Sequence, residues 1–288
     1  MCLGIVNLHK PCGWTSRQAV DCVKRLVRPA KTGHAGTLDP LASGVVVVCV
    51  GSATRLIEYV QAMPKRYVGT FLLGRESDTE DTEGEIRLIA EARQPGEAEV
   101  TAAATRFVGR IEQRPPAYSA LKIHGRRAYK LARAGQPVTL APRPVTIYRL
   151  DVVRYDYPEL VLDIECGSGT YIRSLGRDLA EALGTAAAMS ALMRTAVGCF
   201  DLKDAALPEQ LARDNIADWL QSPLRALASL PRATLSASDI DRVRHGLAIR
   251  LAIEPGTGEV AALDGDENLV AILVVQPDGT LRPARNFQ

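Results

Sequence analysis

Four valines in a row, Val45, Val46, Val47 and Val48, bounded by Gly44 and Gly51, constrain this chain more than any other feature. An unbroken β-branched run of that length suits a strand buried on both faces, so a covered sheet lies at the centre of the fold. The residues leading into it are Gly33-His34-Ala35-Gly36-Thr37-Leu38-Asp39-Pro40-Leu41-Ala42-Ser43-Gly44. They form a glycine-rich bend with one carboxylate, delivered straight into the buried strand. Glycine permits tight turns and close approach by a ligand, and Pro40 stiffens the chain just past Asp39. A carboxylate held this way suits nucleophilic or acid–base work. Taken alone, an Asp-Pro turn that only shapes a loop accounts for the same residues.

Other elements surround this segment. Residues 5–8 read as a strand, followed by a turn at Lys10-Pro11-Cys12-Gly13. Thr15 with Gln18 three residues on is a capping-box pattern. It opens a helix whose stripe is Ala19, Val20, Val23, Leu26 and Val27 and which Pro29 stops. Residues 53–63 and 98–108 read as further helices, and 66–73 and 85–89 as strands flanking a polar loop. Residues 150–153 and 160–166 form a strand pair about Tyr157-Pro158. In the second strand Leu160, Leu162, Ile164 and Cys166 alternate with wetter positions. Ser168-Gly169-Thr170 is expected to cap a helix running to about Leu183. Strands and helices mixed without a regular alternating unit indicate an α+β fold. Composition shifts near Leu230-Pro231, and the tail reads as a small β-rich unit with a short helix and turns at Pro255-Gly256 and Asp278-Gly279.

A chain of 288 residues suits one large domain, or a large and a small one. Its net charge of +2 says little, but the charge is segregated. Between residues 106 and 133 eight basic residues (Arg106, Arg110, Arg114, Lys122, Arg126, Arg127, Lys130, Arg133) face one acid, Glu112. Between 75 and 100 nine acids face three arginines. A basic block interleaved with Phe107, Tyr118 and Tyr129 is the footprint expected for nucleic acid. The six cysteines include no C-x-x-C pair, and zinc-ligand spacing is absent. They read as reduced thiols. The acidic loop 77–84 lacks the terminal glutamate of a calcium loop and reads as a solvated hairpin. The longest apolar run, Leu269–Val275, is far below a membrane span, and residues 1–10 carry no signal-peptide pattern. A soluble cytoplasmic protein is the expectation.

The Asp39 segment resembles the G-H-x-G-x-L-D-P-x-A-x-G signature of the TruB family of pseudouridine synthases. Lys10-Pro11-Cys12-Gly13-Trp14-Thr15-Ser16 resembles the family's K-P-x-G-x-[ST]-S opening, and Lys65-Arg66-Tyr67 its K-x-Y strand. Ser77-Asp78-Thr79-Glu80-Asp81 with Gly84 resembles its acidic loop, residues 115–122 its P-x-x-[YF]-S-A-x-K run, and Gly169-Thr170-Tyr171-Ile172-Arg173 its G-T-Y-I-R. Order and spacing agree from about Ile5 to Phe200. His9 departs from the aspartate that often precedes Lys-Pro.

The resemblance implies a pseudouridine synthase catalytic domain over residues 1–230, built on a mixed, largely antiparallel sheet with flanking helices. It implies a small β-rich PUA-like RNA-binding domain over 231–288, where Arg242, Arg244 and Arg250 suit an acceptor stem. The implied reaction converts the uridine at position 55 of the tRNA T loop to pseudouridine by base flipping, without cofactor, metal or guide RNA, in a monomer. Asp39 is the implied nucleophile, Arg173 its partner, and Tyr67 the ring that stacks on the target base. Tyr171 and Leu192 wall the pocket, His34 contacts the rearranged loop, and Lys10 holds phosphates. Two other readings share these motifs: a non-catalytic RNA-binding protein on the same fold, and a guide-RNA-dependent synthase of the dyskerin type.

Overall fold

The computed structural model describes residues 3–119, 121–123, 125–134, 136, 138, 140–253 and 258–287. His124 and the Pro255-Gly256 turn lie outside them, as do the side chains of Lys122, Arg127, Tyr129 and Arg133. The fold is α+β, as the sequence indicates.

The large sheet uses β1 (Gly4–Lys10), β2 (Thr32–His34), β3 (Ala42–Val50), β4 (Lys65–Leu73), β5 (Gly109–Gln113), β6 (Arg143–Asp156), β7 (Glu159–Cys166) and β8 (Ala187–Val197). Its order is β1-β3-β8-β4-β7-β6-β5, with β2 also paired to β3 and the short Phe200–Asp201 strand paired to β8. All these pairings are antiparallel except β8 on β3. The valine run lies in β3 and is buried throughout. In β7 the burial alternates residue by residue, with Leu160, Leu162, Ile164 and Cys166 inside.

Helix α1 (Ser16–Leu26) carries both capping-box hydrogen bonds between Thr15 and Gln18. Residues 51–56 form a 3-10 turn before α2 (Ile57–Ala62), so the helix expected from residue 53 begins later. Helix α3 (Glu97–Thr105) starts at Gly96, whose N–H donates to the Glu99 carboxylate. Helix α4 (Ile172–Ala182) packs on the sheet through Leu175, Leu179 and Ala180. Its N-cap is Tyr171. Neither Ser168 nor Thr170 caps it; the Tyr171 N–H donates at 2.8 Å to the side chain of Gln113 on β5, a partner distant in sequence.

The tail forms β9 (Arg232–Thr234), α5 (Ala237–Arg244), β10 (Glu259–Leu263), β11 (Leu269–Val275) and β12 (Leu281–Asn286), with a four-stranded sheet in the order β9-β10-β11-β12. Leu235, Val243, Ile249 and Val260 give it a core of its own. Ala261, Ile272 and Phe287 join a second core with Ala53, Val60 and Phe200 of the large body. Polar ties reinforce this seam: Tyr59 donates to Glu259 at 2.9 Å, and Arg285 pairs with Glu58.

Gly44 shows how closely β3 and β8 approach. Its φ is +105°, and a Cβ there would lie 2.3 Å from the Arg194 carbonyl oxygen. Gly44→Ala is therefore expected to lower the unfolding free energy by at least about 2 kcal/mol in a urea titration.

Candidate active site

Asp39 sits in the turn between β2 and β3, and neighbouring backbone holds that turn from several sides. Ser16 Oγ donates to the Leu38 carbonyl at 2.9 Å and accepts from the Leu38 N–H at 2.8 Å. The Gly13 N–H donates to the Pro40 carbonyl at 2.8 Å. The segment from Lys10 to Ser16 is thus the brace of the Asp39 bend. Its side chain remains 41% exposed at the mouth of a cavity.

The bend faces the start of α4, where Arg173 is 7% exposed and spans two carboxylates. Its Nη2 lies 3.1 Å from Asp39 Oδ2 and its Nη1 3.0 Å from Asp81 Oδ2. It also donates to the Thr79 carbonyl at 2.7 Å and the Tyr118 carbonyl at 3.2 Å. Three hydrogen-bond acceptors, Asp81 and the Thr79 and Tyr118 carbonyls, fix the guanidinium's orientation, and its charge then pairs with the Asp39 carboxylate.

The acidic loop is not a solvated hairpin. Its strands (Arg75–Ser77 and Ile86–Leu88) do pair, but the tip folds inward against β8. Met189 donates its N–H to the Glu80 carbonyl, and Thr82 donates to the Met189 carbonyl, both at 3.0 Å. Asp81 ends 1% exposed beneath Arg173. Glu80 accepts from Ser174 at 2.6 Å and pairs with Arg177; burial pushes its pKa up, and these partners oppose that. The sequence reading missed Asp81 and Glu80 as site-building groups because the arginines that neutralise them lie over ninety positions away.

The cavity has a volume of about 350 Å³ and is bounded by Asp39, Lys65, Tyr67, Tyr171, Arg173 and Leu192, among others. That size accommodates a small organic ligand. Tyr67 is buried on β4, and burial raises its phenol pKa while the neighbouring Arg194 opposes the rise. Lys65, two residues earlier on the same strand, is held down to about 8, chiefly by burial and then by the Arg194 charge. Tyr171 carries the Arg143 guanidinium 5.0 Å from its ring centre. Leu192 is 8% exposed on β8.

His34 does not line this cavity but a second, wider one of about 790 Å³, with Arg17, Asp78 and Glu83, and the two cavities share Asp39 and Arg173. Burial is the main cause that lowers its pKa, which favours a neutral imidazole.

Lys10 requires a correction. The expectation that it holds phosphates conflicts with its complete burial. Its ammonium donates to the Pro11 carbonyl at 3.0 Å and the Trp14 carbonyl at 2.6 Å, inside the turn that braces Asp39. Lys10→Met is therefore expected to lower stability by about 1–3 kcal/mol in thermal or urea melts. The slope of log Kd for RNA against log salt is expected to stay unchanged; a slope reduced by about one would restore the phosphate role.

Residues 24–172 match the family model described as TruB family pseudouridylate synthase, N-terminal domain. The tRNA pseudouridine synthase B of Arthrobacter sp. is 42% identical over 287 residues, covering 98% of this chain and 92% of that protein. The protein of the same name from Bradyrhizobium diazoefficiens is 44% identical over 258 residues, covering 86% and 74%. A solved chain from a Cbf5-Nop10-Gar1 complex shares the fold with a TM-score of 0.73 at 27% identity, over 95% of this chain and 78% of that one. With the family model spanning more than half its length and such relatives spanning nearly all of it, the chain belongs to the TruB family of pseudouridylate synthases.

Proposed function

We propose that this enzyme isomerises the uridine at position 55 of the tRNA T loop to pseudouridine, acting alone on the RNA, with Asp39 as nucleophile. The observation that carries this reading is the Asp39–Arg173 pair, 3.1 Å apart, at the mouth of a cavity walled by Tyr67, Tyr171 and Leu192.

A base inside folded RNA is out of reach, so the target must be extruded at roughly a few kcal/mol. Tyr67 offers a ring face to the swung-out uracil, and Leu192 and Tyr171 close the remaining walls. Asp39 attacks the nucleoside, following the logic by which a carboxylate serves a retaining glycosidase. The N1–C1′ bond breaks, the base turns within the cavity, and C5 joins C1′ as the bond to Asp39 breaks, which returns the free carboxylate. The C5 proton leaves and N1 gains one, so atoms balance and no electrons are exchanged. Arg173 keeps the carboxylate aimed throughout, with Asp81 holding Arg173 from behind.

The basic residues of the 106–133 segment supply phosphate contacts whose strength falls with salt. The tail, residues 231–288, is a PUA-like RNA-binding unit in this reading, with Arg242, Arg244 and Arg250 as its contacts to the acceptor stem.

The test is to incubate an unmodified tRNA transcript with the purified protein and map pseudouridine along it. Product at position 55, without added guide RNA or partner proteins, is the expected result. Product that appears only with a guide RNA and partners would favour a dyskerin-type reading. No product under any condition would favour a non-catalytic RNA-binding protein.

A further inference from the structure

Among the described residues Arg194 heads the fully buried side chains by size, yet no step of the reaction above uses it. It sits on β8 at the point where the sheet gathers its functional strands. In register it lies opposite Gly44 of β3 on one side and Tyr67 of β4 on the other. Its Nε donates to the Val45 carbonyl at 2.7 Å. Its Nη2 reaches the Gly36 carbonyl at 3.2 Å, and its Nη1 lies 3.5 Å from the Thr37 carbonyl. Gly36 and Thr37 stand three and two residues before Asp39.

We propose that Arg194 is a positioning residue that locks the Asp39 bend and the Tyr67 ring into one geometry, so that both meet the extruded uridine together. The inference rests on the roles proposed above for Asp39 and Tyr67. A buried guanidinium is a costly group to place in a sheet unless its donors are matched. Here they are matched by backbone carbonyls of the Asp39 bend and of the strand that follows it. The planar fork reaches carbonyls on both sides of that bend, which a single ammonium cannot do from one position. Arg194 and Tyr67 face each other across the β8–β4 pair and line the same cavity, and the guanidinium charge bears on the phenol. It is also spatially distinct from Arg173, which holds the Asp39 carboxylate itself.

Arg194→Lys and Arg194→Met test this in single-turnover pseudouridine formation on a tRNA transcript, with tRNA affinity and thermal melting measured on the same samples. Arg194→Lys keeps the charge but not the fork, and is expected to slow the reaction about 10-fold; Arg194→Met is expected to slow it about 100-fold, with Kd within about threefold of wild type. Partial rescue by lysine, at constant affinity, separates positioning from a general loss of structure. A wild-type rate for Arg194→Lys would overturn the proposal. So would a loss confined to affinity or to the melt, or failure of both variants to fold, which would make Arg194 a determinant of the fold alone. A wild-type protein that forms no pseudouridine would instead refute the assigned reaction.

Discussion

Arg173→Met is expected to lower the unfolding free energy by about 3–5 kcal/mol and to slow pseudouridine formation by about 10²-fold or more. The stability loss comes from Asp81, whose side chain is 2% exposed and would be left buried without its cation. The activity loss comes from Asp39, which would keep its place in the bend but lose the group that aims it. The two effects are separable. In Arg173→Met with Asp81→Asn the stranded charge is gone, so stability should return towards wild type while the rate stays low. Urea titrations and single-turnover assays on the two single variants and the double variant check this. Recovery of the rate together with stability would contradict the assignment of Arg173 to aiming.

Asp39→Asn is expected to reduce the single-turnover rate by ~10⁴-fold or more, because an amide of the same shape is no nucleophile. Binding of tRNA should remain within about threefold, since the proposed phosphate contacts are the basic residues of the 106–133 segment and the tail rather than Asp39. The fold should hold as well. Arg173 retains Asp81 and two carbonyls, and the bend keeps its ties to Ser16 and Gly13. The contrast with Arg173→Met is the informative part: one variant removes chemistry from an intact site, and the other removes the support of that site.

Much of this was legible in the sequence where the signal is local. Thr15 and Gln18 announce the start of α1, and both hydrogen bonds form. The valine run and the alternation in β7 give two strands of the large sheet with their burial. The candidate site was legible as a set of motifs whose residues Asp39, Tyr67, Tyr171 and Arg173 line one cavity.

What escaped depends on partners remote in sequence or on broken periodicity. Ala187–Val197 is alanine-rich, and register shifts between Met189 and Ala191 and between Arg194 and Ala196 interrupt its alternation. Its strand conformation is imposed by β3 and β4 on either side, a tertiary override of local preference. Lys10 belongs to a residue type that is almost always exposed; only the turn carbonyls of Pro11 and Trp14 explain its burial. The acidic loop carried a surface-like charge pattern until α4 brought Arg173 and Arg177 against it.

The most direct test of the central claim is a crystal structure of the Asp39→Asn protein bound to a T-stem-loop RNA. The target uridine is expected to be swung out of the loop into the cavity beside Asp39, its ring stacked on Tyr67 and its reacting carbon within about 3.5 Å of the residue 39 side chain. A uridine that stays stacked in the RNA, or that docks away from Tyr67 and Arg173, would contradict it.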